Sequence, residues 1–238
     1  MTTIRSAPSY ARISGKDVVS LPAVTDTVAD LIRRLGDIAP ERILLNPPLG
    51  TATEEDVIRW LDGPDKRMVE LIDGVLVEKP VGAKESILAI EVAFHLRLYC
   101  RKHDAGLVFG ADSPFRLRLG LVRYPDVSFV SWDQVPGDEF PDNPIAKQIP
   151  DLAVEVLSPS NTFAEIELKL DHYFEVGVRQ AWVINPKKRS ASIYTSRHRV
   201  REIGVDGEFT GSKILPGFRL MLREVFAAAS RKKKRKPR

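Results

Sequence analysis

The 238-residue chain has one cysteine, Cys100, and four histidines without ligand spacing. A single thiol cannot form an internal disulfide, so we expect a reducing, cytoplasmic location. The sequence contains no Cys-x-x-Cys pair, His-x-x-x-His motif or Gly-rich phosphate loop, which leaves zinc hydrolases and nucleotide kinases without support. No segment approaches the ~20 apolar residues that span a bilayer, and we therefore expect no membrane partner.

Acidic and basic residues are unevenly distributed along the chain. The formal net charge is +4, but residues 231–238 alone hold seven of the 36 lysines and arginines. Without them, 29 basic residues face 32 acidic ones, a balance of −3. Such a basic arm binds phosphate backbones in a salt-sensitive way. A solvated solubility tail or a targeting cluster is an equally good interpretation.

Two short apolar segments about thirty residues apart each carry an acid at their centre. Residues 124–130 (YPDVSFV) contain Asp126, and residues 150–158 (PDLAVEVLS) contain Glu155. Their Val, Leu and Phe content and their flanking Pro and Ser residues predict core strands. A buried acid is costly unless it is paired or bound to a cation. If the two strands are adjacent, Asp126 and Glu155 would converge and form a site for a divalent metal. Asp151, at the start of the second strand, is instead expected to be solvated.

The segment after the second strand has the pattern of an amphipathic helix. It begins at Ser160 or Asn161 as the N-cap and ends at Gly177. Glu165 and Lys169 are four residues apart, so they are neighbours on one helix face. They could form a surface ion pair, but two acids followed by a lysine also suit phosphodiester hydrolysis. In that chemistry the carboxylates hold Mg²⁺ and the lysine orients or polarises the nucleophile.

Four segments together resemble the Uma-type family of restriction endonucleases in the PD-(D/E)xK nuclease superfamily. They read YPDVSFV, PDLAVEVLSPS, ExxxKLxxYxxxGV and AWVINP. The resemblance extends over roughly residues 50–225 and includes VELIDGVLV at residues 69–77 and LPGFRL at residues 215–220. It implies an α/β fold of the restriction-endonuclease type, with a mixed β-sheet core flanked by helices.

The resemblance also assigns roles to individual residues. Asp126 matches the aspartate of the PD element, and Glu155 matches the acid of the (D/E)xK element. The third position of that element is Leu157, and Lys169 stands where the family places its migrated lysine. Glu165 replaces the aspartate usual in the family, and it is expected to support Lys169 or the metal's water shell. These matches imply a Mg²⁺-dependent DNA endonuclease, with Mn²⁺ as a substitute and Asp126 and Glu155 as metal ligands.

The remaining segments complete the predicted organisation. We expect an N-terminal extension with a short helix at residues 1–50, a nuclease domain at 51–228 and a basic tail at 229–238. Residues 69–79 read as a hairpin, in which Glu70 could either reach the site or serve the hairpin. Arg116 and Arg118 alternate outward on a strand and are predicted to hold the DNA backbone. A homodimer is one option, and a catalytically silent module that binds nucleic acid or protein is the alternative function.

Overall fold

The computed structural model describes residues 27–64 and 66–230. Residues 1–26 of the predicted N-terminal extension and residues 231–238 of the predicted basic tail lie outside this range. The five α-helices of the described part are α1 Val28–Arg34, α2 Glu54–Asp62, α3 Ala83–His103, α4 Phe163–Glu175 and α5 Leu222–Ala228. Helix α1 lies within the segment predicted as the N-terminal extension. In the described residues, no helix is long and apolar enough to cross a membrane.

The strands of the described part form three sheets. They are β1 Val69–Ile72, β2 Val75–Glu78, β3 Gly106–Phe109, β4 Phe115–Arg118, β5 Leu121–Arg123, β6 Val127–Ser131, β7 Leu152–Val156, β8 Gln180–Asn185, β9 Ser190–Ser196, β10 Arg199–Ile203, β11 Glu208–Gly211 and β12 Leu215–Met221. A four-stranded sheet has the order β2-β1-β5-β4, a six-stranded sheet has the order β10-β9-β8-β7-β6-β3, and β11 pairs with β12. The predicted mixed sheet flanked by helices corresponds to the six-stranded sheet.

The centre of the six-stranded sheet positions the two acids. Strands β6 and β7 are antiparallel neighbours, with Val127 opposite Val154. Asp126 immediately precedes β6, and its N–H donates to the Val154 carbonyl at 2.9 Å. Glu155 lies on β7, which is parallel to β8. Parallel neighbours need a crossover connection, and α4 supplies it here. The predicted adjacency of the two acid-bearing strands is confirmed.

Apolar packing covers both faces of this sheet. One cluster joins α3 and α5 to the sheet and includes the stacked rings of Trp182 and Phe209. A second cluster contains Leu31 from α1, Val75 from β2 and Tyr173 from α4. The four-stranded sheet therefore packs next to α4, the helix that carries Lys169. This arrangement brings residues of both large sheets to one site.

Two local predictions need correction. The N-cap of α4 is Thr162, whose hydroxyl accepts a hydrogen bond from the Glu165 N–H at 2.9 Å. Asn161 instead accepts from the Ser158 N–H in the preceding turn. Asp151 is buried rather than solvated, because it accepts hydrogen bonds from the Ser131 N–H and from two side chains. An aspartate at a strand end can close a turn as readily as it can face water.

Candidate active site

A cavity of about 380 Å³ opens beside the ends of β2, β6 and β7. Six charged side chains line it. Lys79 pairs with Asp126 and Lys169 pairs with Glu155, and the other two are Glu85 and Asp112. Apolar residues make up much of the remaining wall, namely Met68, Pro80, Val81, Ala89, Ile90 and Ala93. The structure therefore brings three of the four predicted catalytic residues to one cavity. The fourth, Glu165, lies outside its lining.

Asp126 is held by one backbone and one side-chain donor. Its Oδ2 accepts a hydrogen bond from the Val156 N–H at 2.7 Å, which ties the residue to β7. Its Oδ1 lies 2.8 Å from Lys79 Nζ. The Asp126 side chain is 16% exposed, so it remains open to the cavity. These two contacts fix the carboxylate, and its remaining lone pairs are available for a ligand.

Glu155 is more deeply buried than Asp126, and it has two side-chain partners. Its Oε2 lies 3.0 Å from Lys169 Nζ, and its Oε1 accepts a hydrogen bond from the Tyr173 hydroxyl. Burial raises the pKa of Glu155, and the Asp126 charge adds to this effect, against the opposing charge of Lys169. A cation placed between the two carboxylates would relieve their repulsion.

Lys169 is a buried site residue and not part of a surface ion pair. Its residue exposure is 2%, and its Nζ lies 3.0 Å from Glu155 and 3.6 Å from Glu70 Oε1. Burial lowers the pKa of Lys169, but the charges of Glu155 and Glu70 outweigh this effect and the net shift is upward. The ammonium group is therefore charged at neutral pH. It can donate hydrogen bonds, but it cannot act as a base.

Glu165 does not line the cavity but is bonded to a residue that does. Its Oε1 is 2.7 Å from Arg42 Nη2, and its Oε2 accepts a hydrogen bond from Asn161 Nδ2 at 2.8 Å. Burial raises the pKa of Glu165, yet the Arg42 hydrogen bond and the Lys169 charge lower it overall. Asn161 itself lines the cavity. Glu165 thus connects Arg42 to the rim of the site, and its predicted support of Lys169 stays a prediction.

A buried charge network lies behind Lys169. Glu70 Oε2 is 2.6 Å from Arg123 Nη1, and Arg123 Nη2 is 2.9 Å from His172 Nδ1. Burial raises the pKa of Glu70, but Lys169 and Arg123 lower it to about 2. Burial and the Arg123 charge lower the pKa of His172 to about 2, so the imidazole is neutral and its Nδ1 accepts the hydrogen bond. Glu70 therefore anchors Lys169 from the hairpin, which answers the question that the sequence left open.

Sequence reasoning missed Lys79 and Arg123 as site residues. Lys79 directly follows β2, is 6% exposed, and donates to the Ala111 carbonyl at 3.2 Å as well as contacting Asp126. Arg123 ends β5, a strand that was not predicted, and is 1% exposed. The sequence signal that could have found both is a basic residue at the end of an apolar strand. Their partners are distant in sequence, so only the packing of the sheets identifies them.

The carboxylates of the cavity are the candidate ligands for the divalent metal that the resemblance implies. Within the described residues, no group of three or more His, Cys, Asp or Glu side chains is arranged to hold a metal ion. Asp126 and Glu155 nevertheless both line the cavity. Mg²⁺ is usually bound by one or two carboxylates, with water and substrate phosphates completing its shell. The residues present fit Mg²⁺ in that manner.

Arg116 and Arg118, the predicted DNA contacts, lie on β4 of the four-stranded sheet. Arg116 pairs with Glu54 of α2, and Arg118 Nη1 lies 2.9 Å from Asp73 Oδ1 in the hairpin turn. Neither arginine lines the cavity, and both side chains are more than one-third exposed to solvent. Their contact with a nucleic-acid backbone stays a prediction.

Comparisons with known proteins agree with this fold. A crystal structure described as that of "a putative nuclease belonging to DUF820" from Anabaena variabilis is similar to this chain with a TM-score of 0.63 and 18% sequence identity, covering 74% of this chain and 98% of that one. No curated protein matches the chain. A family model described as "Putative restriction endonuclease" matches residues 54–223, which include all the cavity residues named above. The chain belongs to this family, Uma2.

Proposed function

We propose that the protein is a divalent-metal-dependent endonuclease that hydrolyses DNA phosphodiester bonds. The observation that carries the proposal is the convergence of Asp126, Glu155 and Lys169 on one cavity. Two carboxylates and a lysine are the groups that this reaction needs, and the family of the chain is consistent with them. The apolar wall beside them offers space for the non-phosphate part of a substrate.

Each residue has a role that follows from its contacts. Asp126 and Glu155 would hold Mg²⁺, or Mn²⁺ in its place. When bound, such an ion polarises the phosphate and lowers the pKa of a water molecule. Lys169 is charged, so it orients the attacking water through a donated hydrogen bond and stabilises charge that develops on the phosphate. Glu70 and Glu155 fix the position of the ammonium group from two sides.

The groups around these residues are positioning residues. Tyr173 donates to Glu155 and so sets the direction of its carboxylate. Glu165 holds Asn161 at the cavity rim, where the carboxamide can meet a substrate oxygen. Arg116, Arg118 and the basic tail are assigned to the DNA backbone as a hypothesis. Because Cys100 is buried and unpaired in the described part, a reducing cytoplasmic location is consistent with the proposal.

One observation favours the alternative, a catalytically silent module that binds nucleic acid or protein. Asp126 and Glu155 each have an ammonium partner within the protein, Lys79 and Lys169 respectively. A site with satisfied ion pairs could persist as a structural element of the fold. This alternative predicts DNA or protein binding that does not change when the two acids are neutralised.

The decisive experiment is the cleavage of supercoiled plasmid and of single-stranded DNA with Mg²⁺ or Mn²⁺. We expect metal-dependent cutting by the wild type and loss of cutting in the Asp126→Ala/Glu155→Ala variant. DNA binding should be measured on the same samples with Ca²⁺. Binding without cutting on either substrate would contradict the nuclease proposal and support the silent module.

A further inference from the structure

Lys79 occupies the position where a cation would be expected to meet Asp126. The residue follows β2, and its Nζ lies 2.8 Å from Asp126 Oδ1 and 3.2 Å from the Ala111 carbonyl oxygen. Its side chain is 4% exposed, and it forms part of the cavity wall. A lysine that is this buried needs a counter-charge, and Asp126 is the carboxylate within ion-pair distance of it among the described residues.

The ion-paired side chains at and behind the cavity carry equal numbers of opposite charges. Glu70, Asp126 and Glu155 supply three negative charges. Arg123, Lys169 and Lys79 supply three positive charges at ion-pair distance from those carboxylates. His172, the other titratable partner of Arg123, is neutral. Glu85 and Asp112 also line the cavity, outside these ion pairs. A divalent cation that binds Asp126 Oδ1 would meet the Lys79 ammonium group 2.8 Å from that oxygen, so the two cations compete for one carboxylate.

The two lysines differ in how firmly they are held. Lys169 lies between two carboxylates, Glu155 and Glu70, on a regular helix. Lys79 has one carboxylate and one backbone carbonyl, and it lies between the end of β2 and the start of α3. Displacing Lys79 costs one ion pair and leaves Lys169 in place. Lys79 is accordingly the cation that can yield its position.

We infer that Lys79 is a built-in counter-ion of Asp126 that competes with the divalent cation for this carboxylate. The inference rests on the proposed function, because it assumes that Asp126 is a metal ligand. Lys79 stabilises the metal-free protein and weakens its metal affinity. Once displaced, its ammonium group remains at the cavity wall, where it can contact a substrate phosphate.

Isothermal titration of the full chain with Ca²⁺ tests this competition without any turnover. Lys79→Gln removes the charge, and we expect it to bind Ca²⁺ about tenfold more tightly than the wild type. Lys79→Arg keeps the charge and should bind Ca²⁺ as the wild type does. Lys84→Gln is the matched control, because the exposed Lys84 on α3 does not line the cavity and its loss changes the net charge equally. Equal or weaker Ca²⁺ binding by Lys79→Gln would overturn the inference.

Thermal unfolding and lysine NMR provide independent measurements. Lys79→Gln should unfold at a lower temperature than the wild type without Ca²⁺, and Ca²⁺ should raise its unfolding temperature by more. If Lys79→Gln does not fold, ¹⁵N-lysine spectra of the wild type still test the inference. The Lys79 ammonium signal, assigned with Lys79→Arg, should shift on Ca²⁺ addition, and an unchanged signal at Ca²⁺ saturation would overturn it.

The outcomes separate the inference from the proposed function. Metal-dependent cleavage by the wild type, with Ca²⁺ affinity unaltered in Lys79→Gln, would refute the counter-ion role and leave the nuclease intact. Absence of Ca²⁺ binding in every variant, together with absence of cleavage, would refute both. If Lys79→Gln binds Ca²⁺ and the wild type does not, the result would support the inference and show that Lys79 excludes the cation from Asp126.

Discussion

Replacing Glu70 with glutamine removes the carboxylate that holds Lys169 and Arg123 behind the cavity. Glu70 is fully buried, with Oε2 2.6 Å from Arg123 Nη1 and Oε1 3.6 Å from Lys169 Nζ. Glutamine has nearly the same shape but no charge. The substitution therefore isolates the electrostatic contribution, and it leaves two buried cations with less compensation.

The pKa of Glu70 gives the size and the sign of the effect. Its pKa is lowered from 4.5 to about 2, although burial alone would raise it. At about 1.36 kcal/mol per pKa unit, this corresponds to roughly 3 kcal/mol of folding stability. Because the folded-state pKa is depressed, the contribution is fully present above about pH 4.5. It is lost as the pH falls through 2.

Urea unfolding of the wild type and Glu70→Gln between pH 7 and pH 3 measures this contribution. We expect the variant to lose about 3 kcal/mol at pH 7, and we expect the difference to shrink steadily below pH 4.5. Glu208→Gln is the control, because Glu208 forms an exposed pair with Arg219 and should matter far less. A loss below 1 kcal/mol at pH 7, or one that is independent of pH, would refute the assignment of Glu70 as a charged anchor.

Two further substitutions test the packing and the site. Gly36→Ala should destabilise the fold by about 1–3 kcal/mol in thermal unfolding, because φ is +86° and the new Cβ would lie 2.5 Å from Glu165 Cα. Gly177→Ala is the control for backbone strain alone, because φ is +101° there and the new Cβ would meet open space. Tyr173→Phe should raise the pKa of Glu155 further, since the lost hydrogen bond favoured the charged carboxylate. The acid limb of the cleavage pH profile should then move to higher pH, and an unmoved limb would contradict the role of Tyr173.

The three residues proposed as catalytic could be found from the sequence because their neighbours in the chain carry the signal. Asp126 and Glu155 interrupt apolar strands, and an acid in that setting requires a partner. Lys169 lies on the helix that directly follows the Glu155 strand. The three side chains therefore reach one cavity through local connections. Periodicity and caps likewise indicated α4, which was expected between Ser160 or Asn161 and Gly177 and lies at Phe163–Glu175.

The rest of the site depends on contacts between distant segments. Lys79 meets Asp126 across 47 positions, and Arg123 meets Glu70 across 53. No local pattern encodes such pairs. Arg123 and Glu70 meet because β5 pairs with β1 in the four-stranded sheet, and Lys79 meets Asp126 because the end of β2 lies beside the start of β6. Asp151 was misjudged for a related reason. Its partners include Arg179, which approaches it from the segment before β8.

The cleavage rate of Lys169→Met is the sharpest test of a shared catalytic site, because this variant leaves in place both carboxylates that are proposed to bind the metal. With plasmid DNA and saturating Mg²⁺, the account predicts a loss of at least about 100-fold relative to the wild type. Ca²⁺ affinity should be retained, and the exposed Lys84→Met should cleave normally. Cleavage by Lys169→Met at the wild-type rate would contradict the assignment of Asp126, Glu155 and Lys169 as one catalytic site.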